Sequence, residues 1–272
     1  MRSASHLEGG AGGSVAVHAS PRFTMNLSRR SLLQLSGTAA GGLALSRFAQ
    51  TPATAAQPGN QTLTRELQVC DPPGDPLEAL LARNRGFSRA WQAMSRESDP
   101  VKRLQLKTEI FNGGCQINPQ ALEQGQRPWA GLLSCADARV APEFVFAAGS
   151  GELFQVRCAG NTAFDDAIAS MEYAVSVLKV PLILVLGHSN CGAVKAAMGS
   201  DPLTPLLEGL VKPIRASLVS GDSLSQAVQG NARHAAGQLT ARSAVLKDAQ
   251  VTGSLAIRSA YFDLATGLVT VT

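Results

Sequence analysis

Two short stretches of the 272-residue sequence hold side chains that could do chemistry. The first reads Cys135-Ala-Asp137-Ala-Arg139. The second reads Gly187-His188-Ser-Asn-Cys191-Gly192. A thiolate, a carboxylate and a guanidinium at period two would share one face of a strand. That trio is unsuited to a core and suited to a site. Cys135, His188 and Cys191 together make a Cys2His set, the ligand count of a catalytic zinc with one open position. His188 and Cys191 are a close pair on one loop, and Cys135 is the distant ligand. Gly187 and Gly192 are expected to give that loop freedom to wrap round an ion. Taken singly, each stretch is weak. A cysteine in an apolar strand is usually a small buried hydrophobe, and His-x-x-Cys arises by chance. The other histidines, His6, His18 and His234, fall in the N-terminal tail or in a polar helical stretch.

The elements that must position these residues are legible in outline. Apolar runs at 129–135, 152–157 and 181–187 read as strands; the third is wholly apolar, as in the middle of a parallel sheet covered on both faces. Stretches 254–262 and 268–272 read as closing strands joined by the turn at 263–267. Helical spacing predicts helices from Asp75, over 100–111, 165–178, 191–198 and 203–218, and one long helix over 225–246. Strands alternating with helices predict an α/β fold with a mostly parallel sheet flanked by helices and preceded by a helical arm. Both reactive stretches then lie where strands give way to helices, which is where open α/β sheets bind ligands.

Charge separates the chain into parts. Of 24 basic and 20 acidic residues, five arginines and one glutamate lie in residues 1–56, leaving nineteen of each sign in the remainder. The body therefore carries no electrostatic footprint for nucleic acid. From Met25 the tail reads M-N-L-S-R-R-S-L-L-Q-L-S-G-T-A-A-G-G-L-A-L, which resembles a twin-arginine export signal with small residues for cleavage near Ala55 or Ala56. It is too short and too glycine-rich for a membrane span. The expected organisation is an export signal with preceding tail over 1–56, a linker over 57–74 and a catalytic domain over 75–272. The expected destination is the periplasm, or a thylakoid lumen where one exists.

Cys-x-Asp-x-Arg followed 53 residues after its cysteine by His-x-x-Cys resembles the signature of the β-class carbonic anhydrases. The similarity extends to Gly125-Gln-Arg-Pro, to Gly151 through Asn161, to Ala169 through Val175, to Leu184 through Val194 and to the ending from Tyr261. The resemblance implies reversible hydration of CO2 to bicarbonate and a proton by zinc-bound hydroxide, with one Zn2+ per subunit. Cys135, His188 and Cys191 would hold the zinc. Asp137 would orient the hydroxide, and Arg139 would keep Asp137 off the metal; in some members Asp137 becomes a fourth ligand in a closed, inactive state. Gln126, Phe154, Tyr173 and Gly192 would line the substrate pocket, with help from a neighbouring subunit. Arg157 matches an arginine near the dimer interface. A homodimer or larger homo-oligomer is implied, with helices at about 75–111 packing on the partner.

Four positions depart from the family's common pattern. Ala136 and Ala138 replace serines of the usual Cys-Ser-Asp-Ser-Arg, Cys158 stands where asparagine is common, and Leu132 stands where bicarbonate-regulated members carry tryptophan. At period two the alanines would point away from the metal. A disulfide between Cys70 and Cys115 is conceivable in an exported protein, but buried free thiols are the expectation. Alternative functions are CS2 or COS hydrolysis on the same scaffold and a non-catalytic relative that binds zinc or bicarbonate. A zinc-thiolate redox role is disfavoured by the lack of a Cys-x-x-Cys pair.

Overall fold

The computed structural model describes residues 74–111 and 119–272, all within one compact unit. The expectations placed on residues 1–73, and on Cys70 and Cys115, lie outside the described residues. Four parallel strands form the sheet: β1 (Ala130–Cys135), β2 (Leu153–Cys158), β3 (Leu182–His188) and β4 (Ala256–Asp263). A fifth, β5 (Leu268–Val271), runs antiparallel to β4, and the order across the sheet is β2-β1-β3-β4-β5.

Every residue of β1 and β3 is buried, because helices cover both faces and strip the strands of any polar side. Alternation then splits their side chains between two cores. Leu132, Leu184 and Leu186 pack with Leu80, Phe87, Val145 and Phe262 on one side. Leu133, Ile183 and Val185 pack with Ile168, Met171, Ala232 and Leu239 on the other. The first side is covered by α1 (Pro76–Arg96), joined by α2 (Pro100–Phe111), α3 (Pro119–Gln124) and α4 (Pro142–Val145) along the chain; the second is covered by α5 (Asp165–Ser176) and, after α6 (Gly192–Met198) and α7 (Pro205–Arg215), by α8 (Leu224–Arg242) and α9 (Ala244–Val251).

One detail differs from the sequence reading. The pattern at 225–246 is two helices, not one. Ser243 breaks it with extended backbone (φ −125°, ψ 114°), and its Oγ accepts the Leu246 N–H at 3.0 Å to start α9. That hydroxyl also donates to Glu172 Oε1 at 2.6 Å. A serine inside a helical pattern is a better N-cap than helix interior, so periodicity alone misses the break. The first helix of the arm, α1, packs on its own chain's sheet. Buried Asn84 bonds to the carbonyls of Val145 (3.1 Å) and Gly267 (3.0 Å) and accepts the Val269 N–H (2.7 Å), tying α1 to α4 and β5. In α2, Val101 and Leu104 are exposed.

The connectivity defines where a site can be. From β1 the chain leaves toward β2; from β3 it leaves in the opposite direction, toward β4. The crevice beyond the carboxyl ends of β1 and β3 is thus the switch point of the sheet. Cys135 ends β1 and His188 ends β3.

Candidate metal centre

Cys135, His188 and Cys191 meet in that crevice, all buried, with their ligating atoms within 4.8 Å of one another. The two sulfurs are 4.0 Å apart. Tetrahedral coordination with Zn–S bonds of about 2.3 Å would separate them by about 3.8 Å. Around them pack Val194, Val211, Ile214, Ala227 and Val228, so the cluster sits in an apolar lining contributed by α6, α7 and α8.

The histidine is oriented for an ion. Its Nδ1 lies 3.0 Å from the Ser189 carbonyl, which can only accept, so Nδ1 carries the proton and Nε2 presents a lone pair. Nε2 is buried and has no hydrogen-bond partner among the described residues. A buried acceptor left unpaired is costly unless something fills its position. Within this donor set, two soft sulfurs and an imidazole, a zinc-like cation is the fitting occupant.

The thiols are unequal. Cys135 is pushed down to about 4, first by the hydrogen bond from Cys191 and then by His188 and the Gly160 and Asp137 backbones, against the opposing effect of burial. The Gly160 N–H donates to Cys135 Sγ at 3.3 Å. Cys191 is pushed up because it is the donor of the pair and is buried. The contact between the two sulfurs thus shifts the thiols in opposite directions.

Beside the cluster, Arg139 grips Asp137. Nε donates to Oδ1 at 2.9 Å, Nη2 to Oδ2 at 2.7 Å, and the Arg139 backbone N–H to Oδ1 at 2.9 Å. The guanidinium holds the Asp137 carboxyl well below the usual carboxylate range, with burial opposing it. Nη2 also donates to the Asn190 carbonyl at 3.1 Å, linking the two motif loops. Oδ2 of Asp137 is 3.8 Å from His188 Nε2, so the paired carboxylate faces the cluster without bonding to the histidine.

The strand reading of Cys135-Ala-Asp-Ala-Arg139 is corrected. The strand stops at Cys135, and residues 137–140 form a turn closed by the Val140 N–H on the Asp137 carbonyl at 3.0 Å. Asp137 is the residue that makes a strand stop here: its carboxylate bonds the backbone two residues on, an Asx turn. The glycine reading is corrected too. At Gly187 a Cβ would lie 2.9 Å from Val228 Cγ1, so that glycine permits close packing of β3 on α8. Gly192 has open space around it, and the left-handed residue of the loop is Asn190, at φ 55°.

The remaining predicted residues lie farther off. Phe154 on β2 and Tyr173 on α5 form a tilted aromatic pair with ring centroids 6.2 Å apart, and Tyr173 is exposed. In register Phe154 is level with Gly131, four residues before Cys135, or about 13 Å along the strands. Gln126 is exposed on the segment leading into β1, and Gly192 is exposed at the start of α6.

Sequence reasoning gave none of the residues that support the cluster this role, and Arg157 entered only as a match to an arginine near the dimer interface. Arg157 donates to the carbonyls of Cys135 (3.1 Å), Asp137 (2.9 Å) and Val140 (2.6 Å), holding the whole turn. Gly160, at φ +77°, places its N–H on Cys135, and Asn231 anchors its carbonyl at 2.7 Å. Ser189 holds His188 through its carbonyl and receives the Leu264 N–H on Oγ at 2.9 Å. The positive-φ glycine was the one available signal; carbonyl-directed arginines leave none. Cys158 is a free, half-buried thiol raised by burial.

With fold and site in place, comparison with known proteins is informative. The family described as carbonic anhydrase matches residues 130–269, and the chain belongs to it. The carbonic anhydrase of Mycolicibacterium smegmatis is 38% identical over 191 residues, covering 63% of this chain and 93% of that one. Carbonic anhydrase 2 of Mycobacterium tuberculosis is 40% identical over 182 residues, covering 61% and 88%. Among solved structures, the β-carbonic anhydrase CcaA is similar at 27% identity and a TM-score of 0.51, over 56% of this chain and 76% of that chain. The Coccomyxa β-carbonic anhydrase in complex with acetazolamide is similar at 26% identity and a TM-score of 0.51, over 73% and 86%. The fold is that of the β-class, and the family's enzymes are carbonate dehydratases. Among the described residues no helix is long and apolar enough to cross a membrane.

Proposed function

We propose that this protein is a zinc enzyme that hydrates CO2 reversibly to bicarbonate and a proton, with Cys135, His188 and Cys191 as the zinc ligands. The observation that carries the proposal is the buried Cys-His-Cys cluster with an unpartnered His188 Nε2 beside an arginine-held carboxylate. A bound zinc ion would lower the pKa of a coordinated water toward neutrality.

The chain's own residues supply the rest. Gly160 N–H stabilises the Cys135 thiolate, and Ser189 fixes the His188 tautomer. Asp137, kept ionised by Arg139, accepts a proton donor at Oδ2 and so orients whatever binds at the open position. While Arg139 holds both carboxylate oxygens, Asp137 is restrained from taking that position itself. Arg157 keeps the turn carrying Asp137 in place through three carbonyls. Phe154, Tyr173, Gln126 and Gly192 are proposed to line the CO2 approach once a second subunit completes it. Residues 25–56 are proposed as a twin-arginine signal for export to the periplasm, on the strength of the Arg29-Arg30 motif.

Stopped-flow hydration of CO2 by zinc-loaded protein, with COS and CS2 run in parallel, tests the reading. CO2 turnover well above the rates with COS and CS2 supports it. Zinc-replete protein that turns over only the sulfur compounds, or nothing, overturns it.

A further inference from the structure

Asn231 is a buried polar side chain to which the proposed chemistry gives no role. It stands on the core-facing stripe of α8, among Ala227, Val228, Ala232, Ala235 and Leu239. An amide on such an apolar stripe is costly unless it is hydrogen-bonded. Its Nδ2 reaches the loop after β2 and donates to the Gly160 carbonyl at 2.7 Å.

Gly160 is the residue through which that bond can act on the metal-ligand cluster. It is the third residue of a turn closed by the Asn161 N–H on the Cys158 carbonyl at 3.1 Å, where φ +77° favours glycine. Its own N–H donates to Cys135 Sγ at 3.3 Å. One residue therefore faces the ligand with its N–H and α8 with its carbonyl. Glycine is the residue least able to hold its own φ and ψ, so the anchored carbonyl sets where the N–H points.

The same turn of α8 also meets the other ligand strand. Val228, Asn231 and Ala232 lie three and four residues apart, on one helix face. A Cβ on Gly187 would lie 2.9 Å from Val228 Cγ1 and 3.5 Å from Ala232 Cβ, so the helix rests on the residue before His188. Packing this close leaves α8 no room to slide, which fixes the height of Asn231 along the crevice.

We propose that Asn231 is a positioning residue of the metal centre. By holding the Gly160 carbonyl it keeps the Gly160 N–H on Cys135 Sγ, and so sets how strongly that sulfur donates to a bound cation. Outer partners of this kind change metal affinity by about 10–100-fold. The inference rests on Cys135 being a metal ligand, as in the proposed function, and not on which substrate is turned over.

The test compares the parent with two variants, each loaded with an NMR-active cadmium isotope. Asn231→Leu keeps the volume and removes the donor. Leu239→Val thins the same helix face about two turns away, in the core beside Ile168 and Met171. In the parent, the Gly160 amide proton should show scalar coupling to cadmium through the Cys135 sulfur. Asn231→Leu should lose that coupling and about tenfold or more in zinc affinity, read by chelator competition. Leu239→Val should be less stable to urea and keep both. Asn231→Ser, whose hydroxyl falls short of the Gly160 carbonyl, gives the same two readings should Asn231→Leu not fold. Bound cadmium without the Gly160 coupling in the parent, or an Asn231 variant that retains either the coupling or full zinc affinity, overturns the proposal and leaves the metal site standing. Losses of equal size in Leu239→Val also overturn it, because they assign the effect to packing. Cadmium that shows no coupling to the Cys135 Hβ protons overturns the ligand set, and this proposal with it. Metal binding with all the expected couplings in a protein that hydrates no CO2 fails the functional reading and keeps the role of Asn231.

Discussion

Gly160 is the position where fold and metal site are most tightly joined, and Gly160→Ala tests that join. The residue sits at φ +77°, which costs an alanine about 1 kcal/mol. The new Cβ would lie 2.5 Å from Ile214 Cδ1 and 3.1 Å from Ala193 Cβ, inside the apolar lining of the ligands. Ile214 is fully buried, so its methyl cannot swing into solvent, and overpacking of this kind costs about 1–3 kcal/mol. The expected total is about 2–4 kcal/mol. Ile214→Val removes the clashing methyl at a cost of about 1 kcal/mol on its own. The double variant should therefore be more stable than additivity predicts, by about 1 kcal/mol or more, while the left-handed strain persists. Urea unfolding of the metal-free forms measures all four species. Zinc affinity should fall by about tenfold or more in Gly160→Ala, because the shifted N–H no longer supports Cys135. A loss below 1 kcal/mol, or strict additivity of the two substitutions, would refute the packing account.

Other expectations follow from the same geometry. Asp137→Asn should keep zinc and lose roughly 100-fold in kcat; retention of full activity would remove Asp137 from the mechanism. Its folded pKa is depressed, so the Asp137–Arg139 pair contributes stability above the unfolded carboxylate value near 4 and loses it as pH falls through the folded value. In metal-free protein the stability gap between parent and Asp137→Asn should hold from pH 8 to 5 and narrow below about 4; a gap that narrows between pH 7 and 5 contradicts this. Zinc binding at pH 6.5 should displace fewer than two protons from the sulfurs, because the contact with Cys191 pushes the Cys135 thiol down; calorimetry in buffers of different ionisation enthalpy reads the number, and release of two protons would contradict this lowering. Two thiolates offset the charge of a bound Zn2+, so hydration should rise on the alkaline side of neutral; a flat rate from pH 6.5 to 9 would count against this ligand set.

The parallel sheet and its helices were legible because β1 and β3 are unbroken apolar runs and α5 carries a clean apolar stripe. The Cys135–His188–Cys191 cluster was legible because cysteine and histidine are scarce and sit at strand ends. The turn at 137–140 was not, since Asp137 and Arg139 keep the spacing of a strand while the Asx bond of Asp137 ends it. Ser243 was hidden for the converse reason: one hydroxyl overrides a helical pattern that continues on both sides. Arg157 acts on three carbonyls, and backbone acceptors have no sequence signature.

The central claim is that one zinc ion held by Cys135, His188 and Cys191 is what makes this chain hydrate CO2. Zinc titrated into the chelator-stripped protein, with initial hydration rate followed by stopped flow, tests it most directly. The rate should climb linearly and break at one zinc per chain, and Cys191→Ser should show neither the break nor the rate. A zinc-independent rate, or an undiminished break in Cys191→Ser, would contradict the account.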